Sequence, residues 1–354
     1  MKKTVYVGMS GGVDSSVTAG LLLEQGYDVV GVYMKNWTKD LPGMPCPWKE
    51  DFQDAKRVAV QLGIDFKVYD FQKEYHQKVV DYMIDEYKAG RTPNPDIMCN
   101  QEVKFRLFLD TALADGADMI ATGHYAKISD SELHVADNTD KDQSYFLYRI
   151  TSEALSKSLM PIGDFKTKAE VRSLAKKLGL VTAEKKDSQG ICFVGKVGIR
   201  EFLEQYVTTE PGAIVDESGR EIGQHDGAIF YTLGQRHGLN VGGGLPYYVT
   251  GKNMAENSVY VTTDLDNKRL WHKELQLTDI HWINSQPDMS KTYKIRTRYR
   301  APLIEGTLQV APSGHKKDQN TLAVALSDEV RAVTPGQSAV IYDGNRVVGG
   351  GIVA

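Results

Sequence analysis

The stretch Thr4-Val-Tyr-Val-Gly-Met-Ser-Gly-Gly-Val-Asp-Ser-Ser16 decides the fold, because a strand pattern changes into a helix pattern across a glycine-rich loop. Thr4–Met9 is a short β-rich run, and Asp14–Gln25 has apolar residues at helical spacing. Adjacent glycines let the backbone approach an anion closely, and the first N–H groups of a helix attract negative charge. The loop is therefore expected to bind phosphate or pyrophosphate, the alternative being a tight turn with a serine cap.

This loop differs from the two familiar nucleotide-binding loops. It contains no G-x-G-x-x-G, and it lacks the lysine of G-x-x-x-x-G-K-[ST]. Gly190–Val197 matches most of the second pattern, but it ends on Val197, which has no hydroxyl group for Mg²⁺. We therefore expect no nucleotide site at Gly190–Val197.

Strand and helix patterns keep alternating outward from this loop through the first third of the chain. The further strands and helices predicted there are Asp28–Met34, Asp51–Leu62, Asp65–Phe71, Val103–Ala114 and Met119–Gly123. Such alternation is typical of a parallel sheet with helices on both faces. Ligands of such sheets bind beyond the carboxyl ends of the strands, so the functional motifs are expected to meet there.

Beyond about residue 205 the pattern becomes one of short alternating segments separated by Gly, Asn and Asp, as in small barrels or sandwiches. The predicted strands are Ala228–Thr232, Tyr247–Val249, Val259–Thr262, Tyr293–Tyr299, Leu322–Leu326 and Ala339–Tyr342. The sequence thus predicts an α/β protein with an N-terminal parallel-sheet, Rossmann-like domain (1–205). A central β-rich domain (206–275) and a C-terminal β-barrel-like domain (276–354) are expected to follow.

Composition sets the class of protein. The chain has 354 residues, which corresponds to two or three domains at about 150 residues each. Its formal net charge is −4, so a nucleic-acid contact would need a local basic patch. Three cysteines form no disulfide framework, which favours the reducing cytoplasm. Neither a secretory signal nor a membrane span of about 18 apolar residues is recognised, so no membrane partner is expected.

Two cysteines lie in segments that contain positive charge. Pro93 and Pro95 stiffen the chain ahead of Asp96 and Cys99. A basic, glycine-containing segment precedes Cys192. Taken alone, either cysteine could be structural. Two cysteines in such loops are nevertheless poor candidates for core packing, and next to a phosphate loop they indicate a sulfur-transfer pair. Asp96 is interpreted as an acid–base residue or as a helix cap. Cys46, in a proline-rich insertion, is expected to be a free cysteine without a role.

Ser10–Ser15 (SGGVDS) resembles the SGGxDS loop of the PP-loop ATP pyrophosphatases. Members of that superfamily cleave ATP between the α- and β-phosphates and transfer AMP to a carbonyl-type oxygen. The resemblance therefore implies ATP, with Mg²⁺ accompanying it and no dedicated metal site on the protein. It does not identify the acceptor, because GMP synthetases, NAD synthetases and several tRNA-modifying enzymes share the loop.

Six further segments resemble those of the tRNA-specific 2-thiouridylases, in the same order along nearly the whole chain. They are TPNPDIMCN (92–100), ATGHYA (121–126), DKDQSYFLY (140–148), KDSQGICF (186–193), TLGQR (232–236) and TPGQSAV (334–340). The resemblance implies ATP-dependent 2-thiolation of the wobble uridine in tRNA anticodons, with adenylation of the uracil C2 oxygen and sulfur transfer from a cysteine persulfide.

The same resemblance assigns roles to individual residues. Cys99 is implied to be the nucleophile, Cys192 the persulfide carrier and Asp96 the acid–base residue. The implied ATP contacts are Gly8, Met9, Ser10, Gly11, Gly12, Val13, Asp14, Ser15, Met34 and Gly123. The implied tRNA contacts are Asn94, Pro95, Asp96, His124, Asp142, Gln143, Ser144, Arg298, Tyr299 and Gln337. The alternative for His124 is a core histidine with satisfied hydrogen bonds.

The implied partners are tRNA and a persulfide donor, either a cysteine desulfurase or a sulfur-relay protein. Three alternatives stay open: a PP-loop synthetase for a small molecule, a tRNA-binding module without catalysis, and an enzyme in which the cysteines and Asp96 hold an iron–sulfur cluster. The first would not need two loop cysteines, and the intact SGGVDS loop disfavours the second. Only three thiols and no Cys-x-x-Cys pair disfavour the third.

Two basic stretches are candidates for tRNA binding. Lys291–Arg300 (KTYKIRTRYR) holds five basic residues and no acidic one. As a strand it would place Arg296, Arg298 and Arg300 on one face, which suits a groove that follows phosphates. The alternative is a charged edge strand that resists aggregation. Lys166–Lys186 is interpreted as a helical stretch that either grips tRNA or is a solvated face.

Overall fold

The computed structural model describes residues 2–40, 46–187, 198–239, 241–242, 244–310 and 321–354. The strands are β1 (Thr4–Gly8), β2 (Asp28–Lys35), β3 (Asp65–Asp70), β4 (Met119–Ala121), β5 (Lys127–Ser129), β6 (Glu132–His134), β7 (Ser158–Leu159), β8 (Gly212–Val215), β9 (Glu221–His225), β10 (Tyr248–Asn253), β11 (Ser258–Thr262), β12 (Trp271–Trp282), β13 (Thr292–Arg296), β14 (Ile304–Val310), β15 (Leu322–Arg331), β16 (Ser338–Asp343) and β17 (Arg346–Val353).

The helices are α1 (Val13–Glu24), α2 (Trp48–Leu62), α3 (Gln72–Tyr75), α4 (Asp81–Lys88), α5 (Pro95–Met98), α6 (Leu109–Ala114), α7 (Ser152–Ser156), α8 (Lys168–Lys177) and α9 (Ile199–Leu203). Two π-helical segments, His76–Val80 and Cys99–Phe108, join α3 to α4 and α5 to α6. No helix of the described residues is long and apolar enough to cross a membrane.

The predicted parallel sheet of the N-terminal part is confirmed. Its strands lie in the order β3-β2-β1-β4-β7, and every pairing is parallel. Apolar residues of α1, α2 and α8 pack on one face, and the helical run from α3 to α6 packs on the other. The strand order reverses direction between β1 and β4, so a crevice opens at the carboxyl ends of these two strands.

The predicted β-rich parts are also present. A four-stranded sheet, β10-β11-β8-β9, forms the central part. Six strands of the C-terminal part close on themselves in the order β12-β15-β14-β13-β16-β17, because β17 also pairs with β12. The hairpin β5–β6, from the N-terminal part, extends this sheet through pairing of Leu133 with Val347. The barrel is therefore tied to the N-terminal part by backbone hydrogen bonds.

Two predicted strands are wrong in their extent. Ala228–Thr232 begins as a 3₁₀ turn over Ala228–Phe230, because Gly227 has φ +147° and its carbonyl accepts the N–H of Phe230. The strand predicted over Tyr293–Tyr299 ends at Arg296. A turn follows, in which the N–H of Ala301 donates to the carbonyl of Arg298 and Arg300 has φ +61°. The basic residues thus do not share one strand face.

Candidate functional site

The loop after β1 has a backbone that only glycine can adopt without strain. Gly11 has φ +74°, and a Cβ at this position would lie 2.3 Å from the carbonyl oxygen of Asp51 at the start of α2. Gly12 differs, since a Cβ there would meet only the Ser10 hydroxyl at 3.5 Å. The loop therefore lies directly against α2, and Gly11 is required for this contact.

The N-terminus of α1 is free to bind an anion. Its N-cap residue is Gly12, and no side chain in the described part of the chain caps it. The serines bond within the loop: the N–H of Ser10 donates to Ser15 Oγ (3.1 Å), and the Ser15 hydroxyl donates to the carbonyl of Gly12 (3.1 Å). The first backbone N–H groups of a 12-residue helix thus remain available for phosphate oxygens.

Met34 and Gly123, predicted ATP contacts far apart in sequence, lie beside this loop. The Met34 methyl is 3.0 Å from where a Gly8 Cβ would be, at the carboxyl ends of β1 and β2. A Cβ on Gly123, just beyond β4, would lie 2.7 Å from the backbone nitrogen of Ser15. The three segments therefore converge at the crevice of the parallel sheet.

Asp14, in the first turn of α1, is held by an ion-pair network that the motif did not reveal. Lys168 Nζ lies 2.7 Å from both carboxylate oxygens of Asp14, and the Tyr125 hydroxyl donates to Oδ1 (2.9 Å). Lys168 also pairs with Asp187 (3.0 Å), which pairs with Arg172 (3.0 Å). Lys168 and Arg172 belong to the basic stretch Lys166–Lys186, which was a candidate for tRNA binding. In the structure Lys168 instead pairs with Asp14 of the phosphate loop.

Asp96 and Cys99 lie on one helical run that starts at Pro95. The prediction that Cys99 lies in a loop is wrong: it follows α5, is 5% exposed and belongs to the hydrophobic core. Asn94 is the N-cap residue, so the alternative interpretation of Asp96 as the cap is also wrong. Asp96 is half-buried, and burial raises the pKa of its carboxyl group, an effect that the Lys104 ammonium partly opposes. A carboxyl group with a raised pKa suits proton transfer.

His124 lies between this helical run and the phosphate loop. Its Nε2 is 3.3 Å from Lys104 Nζ, and its Nδ1 is 2.7 Å from Thr122 Oγ1. The ring is buried, and burial and then the Lys104 ammonium hold the pKa of His124 well below its usual value. Both ring nitrogens are thus used within the protein. This geometry agrees with a core histidine, and the implied tRNA contact of His124 stays a prediction.

The loop ahead of Asp96 is fixed by both β-rich parts. The Gln337 amide donates to the carbonyl oxygen of Thr92 (2.7 Å), and the Thr92 N–H donates to the carbonyl of Pro335 (2.8 Å). The Thr92 hydroxyl lies 3.1 Å from that of Thr232. Gln337, implied to contact tRNA, is half-buried and holds the active-site loop. The segments TLGQR and TPGQSAV thus meet TPNPDIMCN in space.

The side chains of Asp142 and Ser144 are occupied inside the protein. Asp142 is 4% exposed; it accepts the Ser144 hydroxyl (2.8 Å) and pairs with Arg296 (3.3 Å). Ser144 is fully buried as well, and the implied tRNA contacts of both residues stay predictions. Gln143 is half-buried, and its Oε1 accepts the N–H of Tyr125 (2.9 Å).

Arg298 is exposed, whereas Tyr299 packs its ring on Phe146 with centroids 4.5 Å apart. Cys46 is half-buried, and burial raises the pKa of its thiol, which lowers the thiolate fraction. Cys192 and Gly190–Val197 lie outside the described residues. In the described part of the chain, no group of three or more His, Cys, Asp or Glu residues is arranged to hold a metal ion.

Comparisons with known proteins cover nearly the whole chain. Residues 3–196 match a tRNA methyl transferase HUP domain, 200–263 a tRNA methyl transferase PRC-barrel domain and 272–353 an aminomethyltransferase β-barrel domain. Proteins named tRNA-specific 2-thiouridylase MnmA from Bacillus thuringiensis (strain Al Hakam) and Bacillus anthracis are each 45% identical over 356 residues, or 99% of this chain and 94% of each relative.

A solved complex of a 4-thiouridine synthetase with RNA and bound ATP is 21% identical. It covers 58% of this chain and 50% of that chain, with a TM-score of 0.39. A likeness this low carries no inference about function.

Gly11→Ala should destabilise the protein by about 1–3 kcal/mol, because a left-handed φ and a backbone contact both oppose a side chain. Gly12→Ala is the matched control, since a methyl group has room there; it should change the free energy of unfolding by less than about 0.5 kcal/mol. Thermal and urea unfolding measure both. Equal stability of the two variants would contradict this account of the loop.

Gln337→Glu should lower the free energy of unfolding by about 1–3 kcal/mol, because a carboxylate oxygen would replace the amide nitrogen that donates to the Thr92 carbonyl. Gln337→Met removes the donor without adding a negative charge beside the carbonyl oxygen, so it should lower the free energy of unfolding by less. Urea unfolding of both variants tests the order. A Glu variant as stable as the Met variant would show that this amide does not hold the loop.

Proposed function

This chain belongs to the tRNA-specific 2-thiouridylase family, and on that premise we propose that it replaces the C2 oxygen of the wobble uridine in tRNA anticodons with sulfur. It is a tRNA sulfurtransferase with a PP-loop for ATP. The observation that carries the proposal is the contact of Lys104 with His124, which joins the helical run of Asp96 and Cys99 to the strand end beside the phosphate loop.

In the first step the uracil C2 oxygen attacks the α-phosphorus of ATP. The bond from this phosphorus to the bridging oxygen breaks, and its electron pair leaves with pyrophosphate. The free N–H groups of α1 stabilise the departing anion. AMP on the C2 oxygen turns a poor leaving group into a good one, so one difficult displacement becomes two easier ones.

Asp96 is proposed to exchange the proton of the base. Its half-buried carboxyl group has a raised pKa, so it can accept a proton near neutral pH more readily than an exposed aspartate. Uracil loses its N3 proton when the C2 oxygen becomes bonded to phosphorus, and Asp96 would accept that proton. The two prolines flanking Asn94 limit the motion of the carboxylate.

Sulfur transfer follows at the same carbon. The terminal sulfur of a persulfide on Cys192 bonds to C2, and the C2–O bond breaks with its electrons leaving on AMP. The Cys99 thiolate then attacks the Cys192 sulfur. The sulfur–sulfur bond to the base breaks, 2-thiouridine is released and a Cys99–Cys192 disulfide remains. Two equivalents of an external thiol reduce this disulfide.

The proposal has three further parts. The persulfide comes from a cysteine desulfurase or a sulfur-relay protein in the cytoplasm, and Mg²⁺ enters with ATP. Arg298 contacts a tRNA phosphate, since it is exposed beside the barrel. The N-terminal domain (1–205) carries the chemistry, and the domains at 206–275 and 276–354 add tRNA contacts and hold the active-site loop.

Purified protein, ATP, unmodified tRNA and a persulfide donor provide the decisive test, with the nucleosides identified by mass spectrometry. We expect 2-thiouridine, AMP and pyrophosphate in equal amounts. A reaction with an ATP analogue that has a methylene group between the α- and β-phosphates is the control and should give none. Thiolation in the control would overturn the adenylation step.

Cys192→Ser should abolish 2-thiouridine formation while tRNA-dependent AMP formation continues, because adenylation does not use the persulfide. Cys99→Ser should instead accumulate a tRNA–protein adduct that dithiothreitol releases, because the mixed disulfide with Cys192 is not resolved. Cys46→Ser is the control and should behave as the wild type. Gel mobility with and without reductant detects the adduct, and thiolation by the Cys192 variant would refute its role.

Arg298→Ala should lower the slope of log affinity against log salt concentration by about one unit, because one phosphate contact is lost. Affinity should fall similarly for every tRNA, because phosphate contacts do not read sequence. Arg269→Ala, which removes another exposed arginine, is the matched control. An unchanged slope for Arg298→Ala would place the tRNA elsewhere.

A further inference from the structure

Lys104 lies at the junction of the two halves of the site. It belongs to the π-helical segment that begins at Cys99, in which hydrogen bonds link residues five apart, so it lies one wide turn beyond that thiol. Its ammonium is 3.3 Å from Nε2 of His124. His124 directly follows Gly123, whose α-carbon abuts the backbone of Ser15. Lys104 therefore reaches from the helical run of Asp96 to the strand end beside the phosphate loop.

The directions of the hydrogen bonds around His124 follow from chemistry. An ammonium group can only donate, so Nε2 of the ring accepts from Lys104. In a neutral ring the proton is then on Nδ1, which donates to Thr122 Oγ1 at 2.7 Å. His124 thus orients the lysine without neutralising it, because a neutral imidazole carries no charge.

The charge of Lys104 is not balanced by an ion pair. Within the described residues no carboxylate oxygen lies within 4.0 Å of its ammonium. The two other half-buried lysines near the loop differ: Lys168 pairs with Asp14 and Asp187, and Lys185 pairs with Asp51 and Asp54. A half-buried cation without an ion pair at contact distance is costly, and the Asp96 carboxyl group acts on it only from farther away, so the position favours an anionic ligand.

We propose that Lys104 is a further catalytic residue, whose ammonium binds the α-phosphate of ATP and of the adenylated base. This rests on the proposed function. While the C2 oxygen bonds to the α-phosphorus and pyrophosphate departs, Lys104 donates to a non-bridging oxygen and keeps its proton. The phosphoryl group in transfer must lie between the pyrophosphate at α1 and the base at Asp96, and Lys104, on the helical run of Asp96, reaches His124 at the strand end beside the phosphate loop.

Lys104→Met removes the charge and keeps the length of the side chain. The loss of a charge-assisted hydrogen bond should weaken binding of the methylene-bridged ATP analogue roughly 10- to 100-fold. The kcat of tRNA-dependent AMP formation should fall about 100-fold or more, as when a contact to transition-state charge is lost. Lys104→Arg should recover most of both losses. The control Lys73→Met, an exposed lysine, should match the wild type in both assays.

Four outcomes separate the possibilities. Wild-type analogue binding and AMP formation in Lys104→Met would overturn the proposal. A lower salt slope and weaker tRNA binding, with unchanged analogue binding, would assign the ammonium to a tRNA phosphate and also overturn it. Equal losses in the Met and Arg variants with a lowered melting temperature would show a structural role instead. If the wild type forms no AMP, the proposed function fails, while weaker analogue binding by Lys104→Met would still support the phosphate contact.

Discussion

The close approach of Gly123 to the first turn of α1 is the constraint on which the site depends. A Cβ at this position would lie 2.7 Å from the Ser15 nitrogen, so any other residue would push the end of β4 away from the phosphate loop. Because Gly123 is held there, His124 is fixed against Lys104, and through Lys104 the helical run of Cys99 is fixed relative to the loop. One backbone contact thus aligns the nucleotide half of the site with the thiol half.

The β-rich parts contribute to the same alignment from the other side. The loop that leads to Asp96 accepts from Gln337, donates to Pro335 and meets Thr232, so the barrel and the central sheet both hold it. The hairpin β5–β6 fixes the barrel through β17. Each hydrogen bond is worth only about 1 kcal/mol, but several that converge on one short loop restrict it to the narrow geometry that catalysis needs. On the proposed function, the β-rich parts therefore support the chemistry in addition to the tRNA contacts proposed for them.

Much of this arrangement could be predicted from the sequence, because local patterns encode it. The parallel strands show as apolar runs separated by helices, and SGGVDS indicates a phosphate loop by its composition. Contacts between distant segments could not be predicted. Asp142 lies in a polar stretch that is typical of an exposed loop, yet it is buried, and its carboxylate pairs with Arg296 and accepts the Ser144 hydroxyl. The arginines at every second position fit a strand pattern. Such a pattern does not show where the pairing with neighbouring strands stops, which here is at Arg296. The roles of Lys104 and Lys168 could not be predicted either, since they depend on partners 20 and 154 residues away.

The two lysines explain how a phosphate loop functions without a lysine of its own. In Walker loops a lysine binds the terminal phosphates directly. Here Lys168 is held by the carboxylates of Asp14 and Asp187, so its charge cancels the repulsion that Asp14 would exert on phosphate and adds little attraction. The pyrophosphate is then bound mainly by backbone N–H groups and a helix dipole equivalent to about half a charge. Such binding suits a reaction that must release pyrophosphate, while the Lys104 ammonium contacts His124 and makes no ion pair at contact distance within the described residues. If Lys104 binds the α-phosphate as proposed, the fold places its strongest attraction at the phosphate that stays on the base during adenylation and a weaker one at the pyrophosphate that leaves.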